Sequence, residues 1–326
     1  MTYPGDAEFG FELVTCRWAE RAWPPDRETE TVPVVARQLG TQRRRWDTVV
    51  VEADPDALAA RAAFGTDALD SDLLHVVRHA PAEWAWYRDA LPDPGYPWRY
   101  VRAAIHRADA RGVVETRRDG NRIQIRRVAP YPDWVRRIVA VENKPDLDAS
   151  AARALADQLD HDVSTALADE VWVATAATGA TVEPALLEDL PVEAGVLALD
   201  FDGDTPEASV AWHPATLDPT TDTSLSSSEK ADKRLEIAER AYGSGWRSYA
   251  DTMRPDCRCF ELRESSGAFV PWCAAKDRHP TAAECSGSCP EFQPEPPAWR
   301  TRGWPIEGGP GKGIKRLLDR RRRERR

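Results

Sequence analysis

The stretch Arg136-Arg137-Ile138-Val139-Ala140-Val141-Glu142-Asn143-Lys144-Pro145-Asp146, RRIVAVENKPD, contains the only lysine among the first 229 residues. Its four apolar residues in a row have the pattern of a strand buried on both faces. Glu142 and Lys144 lie two apart at the end of that strand, so their side chains point to the same side of a sheet. An acid beside an amine can bind a divalent cation through the carboxylate and orient a water with the ammonium. Arginine is a poor substitute there, because its planar fork never deprotonates, whereas lysine is a compact donor with a tunable pKa. A solvated ion pair at a strand end is the plain alternative.

Composition sets how unusual that lysine is. The 326 residues include six lysines and 38 arginines and carry a net charge of -10. This acidic, lysine-poor balance resembles that of haloarchaeal proteins, whose surfaces stay hydrated in high salt, and it does not exclude a nucleic-acid partner. There is no run of eighteen apolar residues, and MTYPGDAEFG lacks a basic segment followed by a hydrophobic one. A soluble, cytoplasmic protein without a membrane partner is therefore expected.

Working outward, residues 7–22 space Phe11, Val14, Cys16, Trp18 and Ala22 as on an amphipathic helix. VVARQL and RRWDTVVVEA read as strands, and DPDALAARAAFGTDALDS as a connector with helical character. Residues 72–128 change style. Helices are expected at about 72–79, 82–90 and 97–111, followed by a hairpin turning at Asp119-Gly120. Three helices and a two-stranded ribbon look like a winged helix-turn-helix. Arg99, Arg102, Arg107 and Arg111 lie on its third helix, and Arg117, Arg118, Arg122, Arg126 and Arg127 on the ribbon. In an acidic chain this reversal of sign suggests DNA, with Arg99, Arg102, Arg117, Arg118 and Arg122 as the contacts. Local pairing with acids, or a protein-binding role, is the competing explanation.

After RRIVAVEN, the chain reads as a helix (ASAARALADQLDHDVSTALA), a strand (EVWVATA), a short helix (EPALLEDLP) and a hairpin at Asp202-Gly203. Strand, helix and strand in that order imply a parallel pair. TLDPTTDTSLSSSE reads as a linker, and a helix is expected from 230 to 253.

The whole pattern resembles the PD-(D/E)XK nuclease superfamily, and an uncharacterised haloarchaeal branch of it. The matching elements are Glu12 in FGFELVTC, Asp47 in RRWDTVVVE, Glu142 and Lys144 in VAVENK, and Gln158 in LADQLDHD. The resemblance covers about residues 6–60 and 129–213. It implies that Asp47 and Glu142 hold Mg²⁺ (or Mn²⁺), that Lys144 orients the attacking water, that Glu12 supports the metal and that Gln158 positions the strand or the lysine. Asp133 gives a literal Pro-Asp before Glu-x-Lys, but only eight residues separate it from Glu142, hardly enough for two strands and a turn. Asp47 is the better second acid and Asp133 the alternate.

Five of the six cysteines, Cys257, Cys259, Cys273, Cys285 and Cys289, fall within 33 residues. In a reducing compartment such clusters bind metal more often than they form disulfides. Cys257, Cys273, Cys285 and Cys289 are the expected Zn²⁺ ligands, with Cys259 and His279 as competitors. An iron-sulfur cluster drawing on Cys16 is the alternative, against which Cys16 reads as a plain buried thiol. GGPGKG near 308 lacks the Ser/Thr and spacing of a phosphate loop, and KRLLDRRRRERR is a basic tail that can add nonspecific phosphate affinity, with a disordered solvated end as the equal alternative.

The expected fold class is α/β: a restriction-endonuclease-like mixed sheet core with an inserted winged helix-turn-helix and a small cysteine-rich metal-binding C-terminal module. The expected units are a discontinuous core (6–60 and 129–215), the insertion (70–128), linker and helix (216–252), the cysteine module (253–295) and the tail (296–326). Metal-dependent DNA hydrolysis is the expected function. A non-catalytic DNA-binding regulator or interaction protein with a degenerate core is the competing one.

Overall fold

The computed structural model describes residues 4–25, 29–41, 44–177, 188–200, 206–219, 225–246, 257–265, 268–278, 280 and 289–293. Among these the chain forms a mixed α/β structure with seven α-helices and a six-stranded mixed sheet. The sheet runs β1 (Val32–Gly40), β2 (Arg45–Ala53), β6 (Val135–Asn143), β7 (Glu170–Ala176), β8 (Gly195–Asp200) and β9 (Glu207–Trp212). β1, β2 and β6 are antiparallel neighbours. β6, β7 and β8 are parallel, and β9 returns antiparallel on β8.

The strands are central because they have apolar residues on both faces. In β2, Val50 packs toward helix α1 (Pro4–Ala22) with Leu13, Cys16 and Trp18, while Val49 and Val51 face the opposite cluster with Trp134 and Tyr242. Helix α6 (Ala149–Thr165) makes the crossover between β6 and β7, its first turn closed by the Asp148 carboxylate accepting from Ala151 N at 2.7 Å. Its buried Ala152, Leu155 and Leu159 pack on Val171, Val173 and Val196.

Helix α7 (Ser227–Ser244) starts with a capping box, Ser226 and Glu229 each bonding the other's backbone N–H. Part of the segment expected to be a linker is thus a helix cap, and the helix begins before residue 230 and ends at Ser244. Its Ile237, Ala238, Ala241 and Tyr242 belong to the central core. Apolar spacing within the helix outweighs the Ser/Thr-rich composition just ahead of it.

Between β2 and β6 lies a unit with its own core. It comprises α2 (Pro55–Arg61), a 3-10 turn (Ala62–Phe64), α3 (Ser71–His79), β3 (Ala85–Trp86), α4 (Tyr87–Ala90), α5 (Trp98–Ala110), β4 (Val114–Asp119) and β5 (Arg122–Arg127). The three strands form a sheet in the order β3-β5-β4. The helix expected at 82–90 is a correction: Ala85 and Trp86 pair with Ile125 and Gln124 as an edge strand, leaving only one helical turn after it. This unit is fastened to α7. The Arg61 guanidinium and the Glu239 carboxylate pair with both side chains 0% exposed. Glu239 also accepts from Leu69 N at 2.8 Å and Tyr131 OH at 2.6 Å. Close approach here requires Gly243, where a Cβ would lie 2.5 Å from Ala68 N.

A hairpin of β10 (Phe260–Ser265) and β11 (Ala268–Cys273) carries cysteines near its ends. Most of the short helix expected at 183–191, the turn at Asp202-Gly203 and the basic tail lie outside the described residues. No helix among the described residues is long and apolar enough to cross a membrane.

Candidate active site

At the end of the sheet where β1 and β6 finish and β2 begins, the paired register ends at Thr48 and Val141. One step further, Asp47 stands opposite Glu142, and the Asp47 carboxylate accepts from Asn143 N at 3.0 Å. The two acids, 95 residues apart in the chain, are therefore neighbours. Asp133 is exposed and precedes the other end of β6. A nine-residue strand spans about 30 Å, so Asp133 is excluded as the second acid.

Glu12 reaches the same region from α1. It is 7% exposed and accepts from Arg37 Nε at 2.9 Å and Arg37 Nη2 at 3.0 Å. Gln38 Nε2 donates to both Glu12 Oε1 and Asp47 Oδ1, each at 3.1 Å. Consecutive residues of a regular strand point to opposite faces, yet Arg37 and Gln38 both contact Glu12. Gln38 has φ 54°, a left-handed conformation that bends β1 and swings its amide between the acids. Such strain in a non-glycine residue is held in place by the surrounding contacts and concentrates at functional sites. Gln38 has no sequence signal of this kind, and sequence reasoning missed it.

Arg44 and Asp162 were also missed. The Arg44 guanidinium pairs with Glu142 and with Asp162, the latter at 2.8 Å. Asp162 lies on α6, one turn beyond Gln158 and on the same side of the helix. Gln158 itself is exposed, so the α6 side chain that enters this network is the acid four residues on. Lys144 is partly buried and follows Glu142 at the strand end, its N–H donating to Ala174 O at 2.8 Å. Asn143 Nδ2 donates to Thr48 Oγ1 at 3.0 Å, and its buried Oδ1 has no partner among the described residues.

Burial, reinforced by the charge of Asp47 and opposed by Arg44, pushes the Glu142 carboxyl up to about 8. Burial also raises Glu12 above the usual carboxylate range, against the pull of Arg37. Between an ordinary value near 4.5 and about 8, folded Glu142 keeps a proton that the unfolded chain has lost. Its contribution to stability is therefore complete below the unfolded value and is lost as pH rises through about 8. Binding a cation has the opposite sign, because the carboxylate must be ionised. The expected result is that stabilisation by Mg²⁺, measured as a shift in Tm, grows from pH 6.5 to 8.5 and that Glu142→Gln abolishes both dependences. A Mg²⁺ effect independent of pH would contradict this.

The expected DNA contacts separate into two groups. Arg99 and Arg102 are exposed on α5. Arg117 and Arg122 project from the outer face of the small sheet, and Arg118 is exposed on β4. Arg107 pairs with Asp70, and Arg111 donates to the carbonyls of Asp67 and Ala68, so these two hold the unit together.

Cys257, Cys259, Cys273 and Cys289 line one cavity with Phe260, Trp272 and Phe292, and Gln293 N approaches Cys257 Sγ at 3.4 Å. The competitor Cys259 thus shares a cavity with three of the expected ligands, while Cys285 and His279 lie outside the described residues. Cys16 is buried against Thr48 Oγ1 at 3.3 Å, its thiol pushed far up by burial, and it does not line that cavity. Among the described residues, no three His, Cys, Asp or Glu side chains are grouped to hold a metal ion.

Comparison with known proteins matched no curated sequence and no solved structure. One family model, described as a family of unknown function (DUF5787), matches residues 34–294. That span holds both antiparallel partners of the acid pair, the inserted unit and the four thiols around the cavity, and the chain belongs to this family.

Proposed function

We propose that this protein is a divalent-metal-dependent DNA phosphodiester hydrolase with a restriction-endonuclease-like core. The observation that carries the proposal is the placement of Asp47 opposite Glu142, one position beyond the last β2–β6 pair. The antiparallel β1-β2-β6 run, the parallel step to β7 through α6, and α1 bringing Glu12 to the same end all agree with that core. The order α3-β3-α4-α5-β4-β5 supports a winged helix inserted between core strands, a unit suited to presenting DNA.

The acid pair fits a cation. Two carboxyls stand side by side at the sheet end, Asp47 half-buried and Glu142 buried and pushed up to about 8. Asp47 and Glu142 would hold Mg²⁺, which when bound would polarise a phosphate and acidify water. Gln38 and Asn143 N hold Asp47 in a fixed orientation. The Lys144 ammonium orients the attacking water and offsets charge on the phosphate. Arg44 pairs with Glu142 and Asp162, and must leave Glu142 for the acid to bind a metal. That same arginine favours the second interpretation, a DNA-binding protein whose core no longer cleaves.

The test is Mg²⁺-dependent nicking of supercoiled plasmid by purified protein. Nicking abolished by EDTA and by Glu142→Gln is expected. DNA binding without cleavage under any divalent metal would select the non-catalytic alternative. For the thiol-lined cavity we propose a structural Zn²⁺. Elemental analysis should find about one zinc per chain, whereas iron would favour the cluster and a metal-free protein would reject both.

A further inference from the structure

On the outer face of the small sheet, two tryptophans lie beneath arginines. β3 pairs Trp86 with Gln124, and β5 in turn pairs Gln124 with Arg117 and Arg126 with Glu115. Strand alternation therefore puts Trp84, Trp86, Arg117, Arg122, Gln124 and Arg126 on one side, away from the buried Ile125. The guanidinium of Arg117 stands 4.5 Å and that of Arg126 4.9 Å from the Trp84 ring, and Arg122 stands 4.7 Å from that of Trp86.

Trp86 also touches the core of the unit, but Trp84 belongs to none of the hydrophobic clusters. A large, partly exposed indole outside all four clusters is not explained by core formation. Local charge adds a direction. Residues 113–128 contain five arginines and two acids in a chain with a net charge of -10. Arg126 is paired with Glu115, and Arg117 is held by Gln124 Oε1 at 2.7 Å. Arg122 has no ion pair among the described residues, and its guanidinium lies on Trp86. The face thus offers flat π surfaces, planar cations that can slide aside or add to a stack, and charge suited to a polyanion.

We propose that this face binds unpaired nucleotides, with bases stacking on Trp84 and Trp86 and phosphates meeting Arg122 and Arg117. Bases inside a duplex expose no π face, so duplex DNA cannot use the tryptophans. The exposed arginines of α5 are left to contact paired DNA. The inference rests on the nucleic-acid part of the proposed function but not on cleavage.

The experiment is fluorescence anisotropy of the full chain in EDTA with labelled 12-mer oligothymidylate, oligouridylate and a duplex of the same length. Trp84→Ala is expected to weaken single-strand binding about tenfold or more, with duplex affinity unchanged and with the salt dependence retained, because no charge is removed. Trp84→Phe should recover most of the loss. Arg122→Ala should weaken binding and flatten the slope of log K against log salt by about 0.7. Equal affinity of the two oligomers places recognition in base and phosphate, and a difference assigns a preference for DNA or RNA. A folded Trp84→Ala protein with unchanged single-strand affinity, or with equal losses on single strand and duplex, overturns the proposal. A lower Tm without an affinity change would do the same, leaving the arginine-tryptophan contacts as stabilising only. Loss of plasmid nicking alone would bear on the core and not on this face.

Discussion

Lys144→Ala is expected to reduce Mg²⁺-dependent DNA cleavage by about 10²–10³-fold, the range seen when one preorganised donor is removed from a charged transition state. The main chain around it is held by backbone and hydroxyl hydrogen bonds. Lys144 N donates to Ala174 O at 2.8 Å, and Pro145 O accepts from Ala176 N and Thr175 Oγ1, each at 3.2 Å. Truncation keeps these bonds while removing the only lysine in the first 229 residues. Lys144→Arg is not expected to restore activity, since the planar fork needs more room beside Glu142 and cannot match a compact ammonium. Initial rates at saturating Mg²⁺ measure this. Rates within threefold of the parent protein would remove Lys144 from the chemistry.

The largest stability effect is expected at Glu239. Its carboxylate takes Nε and Nη2 of the Arg61 guanidinium, the N–H of Leu69 and the hydroxyl of Tyr131. Arg61 also lies 4.3 Å from the Tyr242 ring and donates to the carbonyls of Gly65 and Asp67. Glu239→Ala strands a guanidinium away from water and should cost about 3–5 kcal/mol. At roughly 2–4 °C per kcal/mol, Tm should fall by about 6–20 °C. Replacing both partners with apolar residues, Arg61→Met with Glu239→Leu, should recover much of that loss, because breaking a buried pair is costlier than deleting it. Thermal unfolding of the single and double variants decides the point. A fall below about 2 °C in the single variant would show that the pair is hydrated in solution.

The strand elements around the acids were readable in advance because burial on both faces leaves a run of β-branched residues in β2 and β6, and the direction of β6 rules on Asp47 against Asp133. What the sequence could not show depends on tertiary geometry. Gln38 acts through a positive φ within a strand, and no residue pattern announces that. Arg44 acts from the turn between β1 and β2, where an arginine is ordinary in a chain with 38 of them. Asp162 was nearer to hand, since it shares a helix face with Gln158 at a spacing of four. In the insertion, the alternation of Trp84 and Trp86 was a period-two signal submerged in a segment of mixed helical character. The Ser/Thr-rich run before α7 was misleading for a different reason: the same hydroxyl groups that suit a linker also cap a helix.

Diffraction from crystals soaked in Mn²⁺, recorded for its anomalous signal, tests the central claim most directly. The account predicts a peak between the carboxylates of Asp47 and Glu142, with the Arg44 guanidinium moved off Glu142. A structure in which Arg44 stays on Glu142 and Asp162, with no peak beside Asp47 at saturating Mn²⁺, would contradict it.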